Sequence, residues 1–328
     1  MYENIKAAVQ QANSVNIIQA ENPDGDSLGS ALALEGTLSA LGKETSLYCP
    51  VDTPKYMCYF HGWDRVTTDY NVKADLNIVV DTSADVLLSK LSADPVIKHH
   101  LEHTKAVVID HHTEATPDLK FNHLLVLEPA VATAELIYEI SKELSWPIDA
   151  ETARNLLAGI MSDTLGLSSP NVTAETYRLA ADLVDAGADV SEIEESRRDL
   201  MKKSPRILDY KADLIKRVEY HLGGKLATVH VPWDDIKEYS DEYNPNVLIL
   251  EEMRMVAGVD AAVAIKTYPD GKLTGKVRTS LPVADKVAGF FGGGGHAYAA
   301  GFRVYEDYDT VLKELIGAVS DILNDKTI

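Results

Sequence analysis

Residues 106–112 read Ala-Val-Val-Ile-Asp-His-His, a strand-like apolar run that ends in one acid and two imidazoles. An earlier run, Asn77-Ile-Val-Val-Asp81, also ends in an aspartate. Continuous Val- and Ile-rich runs of this length are typical of buried strands in a parallel sheet, which is covered on both faces. The two runs therefore predict parallel strands that each place an acid at the carboxyl end.

Strand-like and helix-like segments alternate over the first 190 residues. Further apolar runs lie at 15–20, 46–49 and 124–127, and helical patterns lie at 132–144, 150–161 and 174–186. This alternation favours a doubly wound α/β domain with a mainly parallel sheet. In such a sheet, ligands bind in the crevice outside the carboxyl ends of the strands.

The pattern changes near residue 190. Residues 191–220 are highly charged and helical apart from Pro205, and the residues beyond them combine strand patterns, a Tyr268-Pro-Asp-Gly271 hairpin turn, a glycine-rich loop and a final helix. We therefore expect a first domain at 1–190, a helical linker at 191–220 and a smaller mixed α/β domain at 221–328.

The charge of the chain limits its partners. The 328 residues include 31 Lys and Arg and 51 Asp and Glu, a formal charge of −20. Affinity for long DNA comes mainly from cations that neutralise phosphates, so we expect no binding to long duplexes. A small anionic substrate remains compatible where metal ions or a local basic pocket supply positive charge.

Nothing in the sequence predicts a membrane or secreted protein. No apolar run reaches the roughly 18 residues that a membrane span requires, and the polar helical segment Met1–Asn13 lacks the apolar core of a secretory signal. Cys49 and Cys58 are the two cysteines, too few for a disulfide framework. We expect a cytoplasmic protein.

Further acids follow other segments of the predicted domain. Asn22-Pro-Asp24-Gly-Asp26-Ser-Leu-Gly-Ser30 comes after the first strand, and Asp163 follows an apolar helix. Each alone is compatible with a turn, a helix cap or a surface loop. If these acids converge with those that end the strands, their like charges need neutralisation, and oxygen ligands with one or two imidazoles suit Mn²⁺ or Mg²⁺. The combination predicts a metal site.

Residues 290–301 read Phe-Phe-Gly-Gly-Gly-Gly-His-Ala-Tyr-Ala-Ala-Gly. Four glycines in a row can turn their amides toward one anion, and we expect the small residues after them to start a helix that adds its positive end. Arg278 lies on the strand-like run just upstream and offers bidentate phosphate contacts. The alternative, a flexible linker, is disfavoured by the apolar flank and by His296.

Together these motifs resemble the DHH phosphoesterase superfamily with its DHH-associated C-terminal domain. The size and two-domain organisation are most similar to its nanoRNase/pAp-phosphatase (oligoribonuclease) group. The residues that carry the resemblance are 22–30, 80–81, 110–112, 162–163 and 292–301.

The resemblance implies a role for each motif residue. Asp24 would hold one manganese ion and Asp26 the other, with Asp81 bridging them and with His111 and Asp163 completing the second ion's ligands. Catalytic roles are implied for His112, Asp81 and Asp110. Of these, His112 would lie beside the substrate phosphate. Residues of the second domain would bind the substrate, namely Arg278, Gly293, Gly294, Gly295 and His296.

Ala20 departs from the family pattern. Many relatives have a histidine there as a ligand of the first ion, and alanine cannot coordinate. The adjacent Glu21 could substitute, but successive strand residues point to opposite faces.

We therefore expect a metal titration without substrate to reveal one tight and one weak site. Calorimetric titration of the metal-free protein with Mn²⁺ measures both, and two equally tight sites would contradict this expectation.

The resemblance implies a metal-dependent hydrolase that uses two Mn²⁺ ions, or Mg²⁺, to activate water for attack at phosphorus. The substrates would be short oligonucleotides, pAp-like bisphosphates, or linear or cyclic dinucleotides. Three alternatives stay open: an exonuclease on longer single strands, a manganese pyrophosphatase, and a nucleotide-binding protein weakened by Ala20. A homodimer is also left open.

Overall fold

A computed structural model of the protein describes residues 2–113 and 116–324. The side chain of His296 lies outside this description. The chain forms two compact units, Met1–Lys202 and Lys203–Ile328. Among the described residues, no helix is both long enough and apolar enough to cross a membrane.

The first unit contains a five-stranded parallel sheet in the order β2-β1-β3-β4-β5. The strands are β1 Ser14–Ile18, β2 Glu44–Tyr48, β3 Leu76–Val80, β4 Lys105–Asp110 and β5 Leu124–Leu127. The helices are α1 Tyr2–Gln11, α2 Gly25–Ala40, α3 Ser89–Ala93, α4 Pro95–His103, α5 Thr133–Glu143, α6 Ala150–Asp163, α7 Ala174–Asp185 and α8 Val190–Leu200, with 3₁₀ turns at Lys55–Met57, Trp63–Arg65 and Asp85–Leu88.

Strand β3 explains why the apolar runs are continuous. All five of its residues are buried. Ile78 and Val80 belong to one hydrophobic core, and Val79 belongs to the core on the other face. A strand covered on both faces needs apolar residues throughout, which confirms the predicted parallel sheet.

Helices α2 and α6 pack with unusually close backbones. A Cβ atom on Gly29 would lie 2.6 Å from the carbonyl oxygen of Asn155 and 3.0 Å from Cα of Gly159. This approach brings the start of α2, with Asp26, to the end of α6, where Asp163 is the last helical residue.

The second unit contains a six-stranded mixed sheet in the order β10-β11-β9-β8-β7-β6, in which β7 and β8 are parallel. This sheet confirms the predicted mixed α/β class. The strands are β6 Glu219–His221, β7 Leu226–Val231, β8 Ala261–Thr267, β9 Leu273–Thr279, β10 Gly294–His296 and β11 Ala299–Val304. The helices are α9 Pro205–Lys216, α10 Trp233–Tyr239, α11 Pro245–Arg254, α12 Ala284–Phe290 and α13 Tyr308–Asn324, with a 3₁₀ turn at Leu222–Gly224.

The division between the two units falls inside the segment 191–220. Ile193 of α8 is buried in the core of the first unit. Ile207 and Leu214 of α9 are buried in a core of the second unit. The two helices of this segment therefore each pack with their own unit.

Candidate metal centre

Asp81 follows β3 with a left-handed backbone, at φ 63°. That conformation costs a non-glycine residue roughly 1–2 kcal/mol. Its N–H donates to the carbonyl of Ile109, and its Oδ1 accepts a 2.9 Å hydrogen bond from the Thr133 hydroxyl. Strain of this kind, held in place by neighbouring strands and helices, is typical of functional sites.

Asp26 lies in the first turn of α2 and is fully buried. Its carboxylate accepts hydrogen bonds from the backbone N–H groups of Thr133, at 2.5 Å, and Ala134, at 2.9 Å. These amides begin α5, whose own N-cap residue, Ala132, has no capping side chain. Asp26 thus satisfies the first amides of a second helix, which fixes its orientation.

His111 supplies the observation that most directly indicates a metal. Its Nδ1 donates to the carbonyl of Ala130 at 3.1 Å, so the neutral ring has its lone pair on Nε2. That Nε2 is buried with no hydrogen-bond partner among the described residues. It lies 3.9 Å from Oδ2 of Asp26, 3.7 Å from Oδ1 of Asp81 and 3.5 Å from Oδ2 of Asp163. An unpaired acceptor beside three carboxylates fits a bound cation.

The carboxylates repel one another in this arrangement. Burial, and after it the charges of Asp26 and Asp24, raises the pKa of Asp81 well above its usual value and that of Asp163 to about 7. Burial likewise raises the pKa of Asp26. Asp24 is the exposed N-cap of α2, and its charge helps to raise the pKa of Asp81 and Asp163. Its carboxylate accepts a hydrogen bond from the N–H of Ser27. Divalent cations would remove this repulsion.

Two sets of side chains place their ligand atoms within 4.8 Å of one another. The first set is Asp26, His111 and Asp163, and the second is Asp81, His111 and His112. Among the described motif acids and imidazoles of the first unit, these sets include five side chains and leave out Asp24 and Asp110.

Asp110 binds His112. Its buried Oδ1 accepts from the backbone N–H of His112 at 3.2 Å and from the ring Nδ1 at 2.8 Å. Burial opposes ionisation of Asp110, but hydrogen bonds from His112 and Ser83 hold its pKa below the usual value. The same hydrogen bond raises the pKa of His112. Asp110 therefore orients the half-exposed His112 ring and leaves its Nε2 for another partner.

Glu21 does not take the place of the ligand missing at Ala20. Its carboxylate accepts from the hydroxyl of Ser89 at 2.9 Å and from the N–H of Lys90 at 3.2 Å. The Glu21 carboxylate therefore binds the start of α3, and it belongs to neither ligand set. Ala20 itself is buried.

The motifs did not indicate Thr133 or Ala130. Thr133 contacts both Asp26 and Asp81, and the carbonyl of Ala130 sets the tautomer of His111. A signal was available, since both residues follow β5 and therefore lie at the carboxyl edge of the sheet.

In the second unit, the prediction of a helix after the glycine run is wrong. Residues 299–304 form strand β11, because Ala300 and Phe302 alternate into a core. Helix α12 precedes the glycines instead. The N–H of Gly293 donates to the carbonyl of Ala288 in that helix at 2.9 Å, so this amide is not available to an anion in the described conformation.

The glycines have a packing role in this hairpin. A Cβ atom on Gly293 would lie 2.3 Å from the carbonyl oxygen of Gly301. Gly295 has φ 145°, and a Cβ there would lie 2.6 Å from the carbonyl oxygen of Ala299. Gly294 has open space around it.

Arg278 shares a sheet face with two more cations. It lies on β9 opposite Ala299 of β11, and Lys276 lies opposite Gly301. Arg303 of β11 pairs with Thr274 two residues further along. Lys276 and Arg303 are exposed and Arg278 is half-buried. The neighbouring β11 residues on this face, Ala299 and Gly301, are small.

Residues 14–160 match the DHH family, N-terminal domain. The chain contains a DHH family domain. The predicted resemblance to the DHH family is thus confirmed. The matched stretch includes Asp24, Asp26, Asp81 and residues 110–112, but neither Asp163 nor the second unit, so it does not reach the predicted DHH-associated domain.

Two of the similar curated proteins align with this chain over both of its units. The bifunctional oligoribonuclease and PAP phosphatase NrnA of Thermus thermophilus is 29% identical over 307 residues, covering 92% of this chain and 88% of the relative. The Bacillus subtilis protein of the same name is 24% identical over 300 residues, covering 89% and 90%. A probable manganese-dependent inorganic pyrophosphatase of Enterococcus faecalis is 27% identical over 219 residues, covering 64% and 67%.

One solved structure shares the fold of the whole chain. An exopolyphosphatase-related protein from Bacteroides fragilis superposes with a TM-score of 0.87 at 18% identity, covering 99% of this chain and 97% of the other. The two chains therefore share a fold over nearly their whole length.

Proposed function

We propose that this chain is a metal-dependent phosphoesterase that hydrolyses short oligonucleotides or small nucleotides such as pAp and linear or cyclic dinucleotides. The observation that carries the proposal is the unpaired, buried Nε2 of His111 among the carboxylates of Asp26, Asp81 and Asp163. The names of the Thermus and Bacillus relatives, oligoribonuclease and PAP phosphatase, support this substrate class.

Two Mn²⁺ ions are the proposed cofactors, and Mg²⁺ is the alternative. Asp26, His111 and Asp163 would hold one ion, and Asp24 and Asp81 would hold the other, with Asp81 bridging. When bound, such a pair lowers the pKa of a shared water and stabilises charge on phosphoryl oxygens. The manganese-dependent relative from Enterococcus supports this choice of ion.

The protein's own groups hold the reacting parts in place. Thr133 fixes the carboxylate of Asp81 through its hydroxyl. Asp110 holds His112 so that its free ring nitrogen can hydrogen-bond a phosphoryl oxygen or give a proton to the leaving oxygen. Both contacts restrict side chains before substrate arrives, which lowers the entropy cost of reaching the reactive geometry.

The second unit is proposed to bind the substrate's phosphates. Arg278 and the predicted partners Gly293, Gly294, Gly295 and His296 would do this together with Lys276 and Arg303. These cations on one sheet face give a local positive field in a chain whose net charge is −20. The amide of Gly293 would need to change its partner, whereas Gly294 and Gly295 remain candidates.

One assay tests the proposed function. The full chain is incubated with Mn²⁺ and, separately, a labelled dinucleotide, a longer single strand, pAp, a cyclic dinucleotide and pyrophosphate. We expect fastest turnover on a dinucleotide or pAp and complete loss with EDTA. Turnover confined to pyrophosphate would favour the pyrophosphatase alternative, and nucleotide binding with no turnover would favour a binding protein.

A further inference from the structure

The Phe60 ring lies beside Gly25, the residue that joins Asp24 to Asp26 at the start of α2. Gly25 lies between these two acids, and a Cβ atom there would sit 3.4 Å from Cζ of the Phe60 ring and 2.2 Å from Oγ of Ser162. The Phe60 side chain is almost completely buried, at 1% exposure. The peptide that spaces two candidate metal ligands is therefore enclosed by a fixed aromatic ring and by α6.

Two side chains from one turn of α6 hold the backbone on both sides of Phe60. Arg154 donates from Nη2 to the carbonyl of Tyr59 at 3.0 Å, and Asn155 donates from Nδ2 to the carbonyl of His61 at 3.1 Å. Arg154 and Asn155 are 3% and 1% exposed. The backbone of Phe60 therefore cannot move away from Gly25 unless one of these hydrogen bonds breaks.

The arrangement is costly for stability. Arg154 pairs through Nε with Glu192 at 3.0 Å, but its Nη1 has no hydrogen-bond partner among the described residues, nor does Oδ1 of Asn155. Buried polar groups left unpaired destabilise a fold, and apolar residues of similar size are often equally stable in such positions. A buried guanidinium here is better explained by the position it enforces than by the stability it adds.

Helix α6 also carries Ser162 and Asp163 at its far end. The same helix therefore holds Phe60, contacts Gly25 and supplies a third candidate ligand. Helix α6 meets the start of α2 directly, through Ser162 beside Gly25, and indirectly, through the backbone on both sides of Phe60. It can therefore fix the positions of Asp24, Asp26 and Asp163 together.

We propose that Arg154 and Asn155 are positioning residues that hold Phe60 beside Gly25 and so fix the start of α2, with Asp24 and Asp26, in the place that two cations require. This inference rests on the proposed metal site. It matters most for the ion held by Asp24, because that acid is exposed and Ala20 provides no further ligand. If the start of α2 were free to shift, this ion would be lost first.

Mn²⁺ binding to the full chain without substrate tests the proposal, with free Mn²⁺ measured by its EPR signal. We expect Phe60→Ala and Arg154→Met to weaken the weaker site by about tenfold or more, the loss typical of removing a residue that orients metal ligands. Phe60→Leu, which still fills the space beside Gly25, should restore most of the affinity. If Phe60→Ala does not fold, Arg154→Met and Phe60→Leu carry the test.

Leu183→Ala is the matched control. Leu183 is fully buried in the same core, on α7, which carries no candidate ligand. It should lower the melting temperature but leave Mn²⁺ affinity unchanged. Wild-type affinity in Arg154→Met and Phe60→Ala, or an equal loss in Leu183→Ala, would overturn the proposal. Because binding is measured directly, a wild-type chain that binds two ions but hydrolyses nothing would refute only the proposed function.

Discussion

Asp163→Asn is expected to abolish turnover and, in the metal-free protein, to raise stability. The carboxylate lies 3.5 Å from Nε2 of His111 and near the buried acids Asp26 and Asp81. An amide coordinates a cation weakly, so activity should fall by at least about 10²–10³-fold, the loss seen when one charge-stabilising group leaves an active site. Without metal, removing one of several like charges should add about 1 kcal/mol, or roughly 2–4 °C in melting temperature.

Mn²⁺ should reverse the order of stability. A ligand at 100 times its dissociation constant stabilises the folded state by about 2.7 kcal/mol, and the wild-type chain should gain this while Asp163→Asn gains little. Thermal melts with EDTA and with Mn²⁺ measure both effects. Asp185→Asn is the control, since Asp185 also ends a helix, α7, but is exposed. Near-wild-type turnover in Asp163→Asn would exclude this residue as a ligand.

Local sequence patterns were sufficient to predict the sheet and most of the acids. An apolar run that ends in an acid predicts a buried strand and places the acid at the carboxyl edge of the sheet. Asp81 and residues 110–112 could therefore be located without any long-range information. Asp163 could be placed only as the residue after an apolar helix. Its distance to His111 depends on how closely α2 and α6 pack.

Long-range contacts account for what the patterns missed. The hydroxyl of Thr133 meets Asp81 across 52 residues of chain, and no local spacing indicates such a pairing. The strand after the glycine run depends on whether Ala300 and Phe302 find a core to enter, and a run of small residues is compatible with either helix or strand. Glu21 has a carboxylate of the right type, but its partners on α3 become visible only in the folded chain.

Gly29→Ala should destabilise the first unit and weaken metal binding together. Alanine usually stabilises a helix by about 1 kcal/mol relative to glycine. Here the added methyl group would lie 2.6 Å from the carbonyl oxygen of Asn155 and 3.0 Å from Cα of Gly159, both backbone atoms of α6. The two helices must separate, at a cost of about 1–3 kcal/mol for an overpacked core. Because Asp26 is on α2 and Asp163 ends α6, the same separation pulls two candidate ligands apart.

Gly317→Ala gives the opposite expectation from the same substitution. Gly317 lies inside α13, and a Cβ atom there meets nothing within 4 Å. The substitution should raise stability by about 0.5–1 kcal/mol, because alanine lowers the conformational entropy of the unfolded chain. Urea denaturation of both variants measures whether each substitution raises or lowers the free energy of unfolding, and Mn²⁺ titration of each measures the change in metal affinity. If Gly29→Ala also stabilises, or destabilises without any loss of Mn²⁺ affinity, the close contact of α2 with α6 does not set the spacing of Asp26 and Asp163.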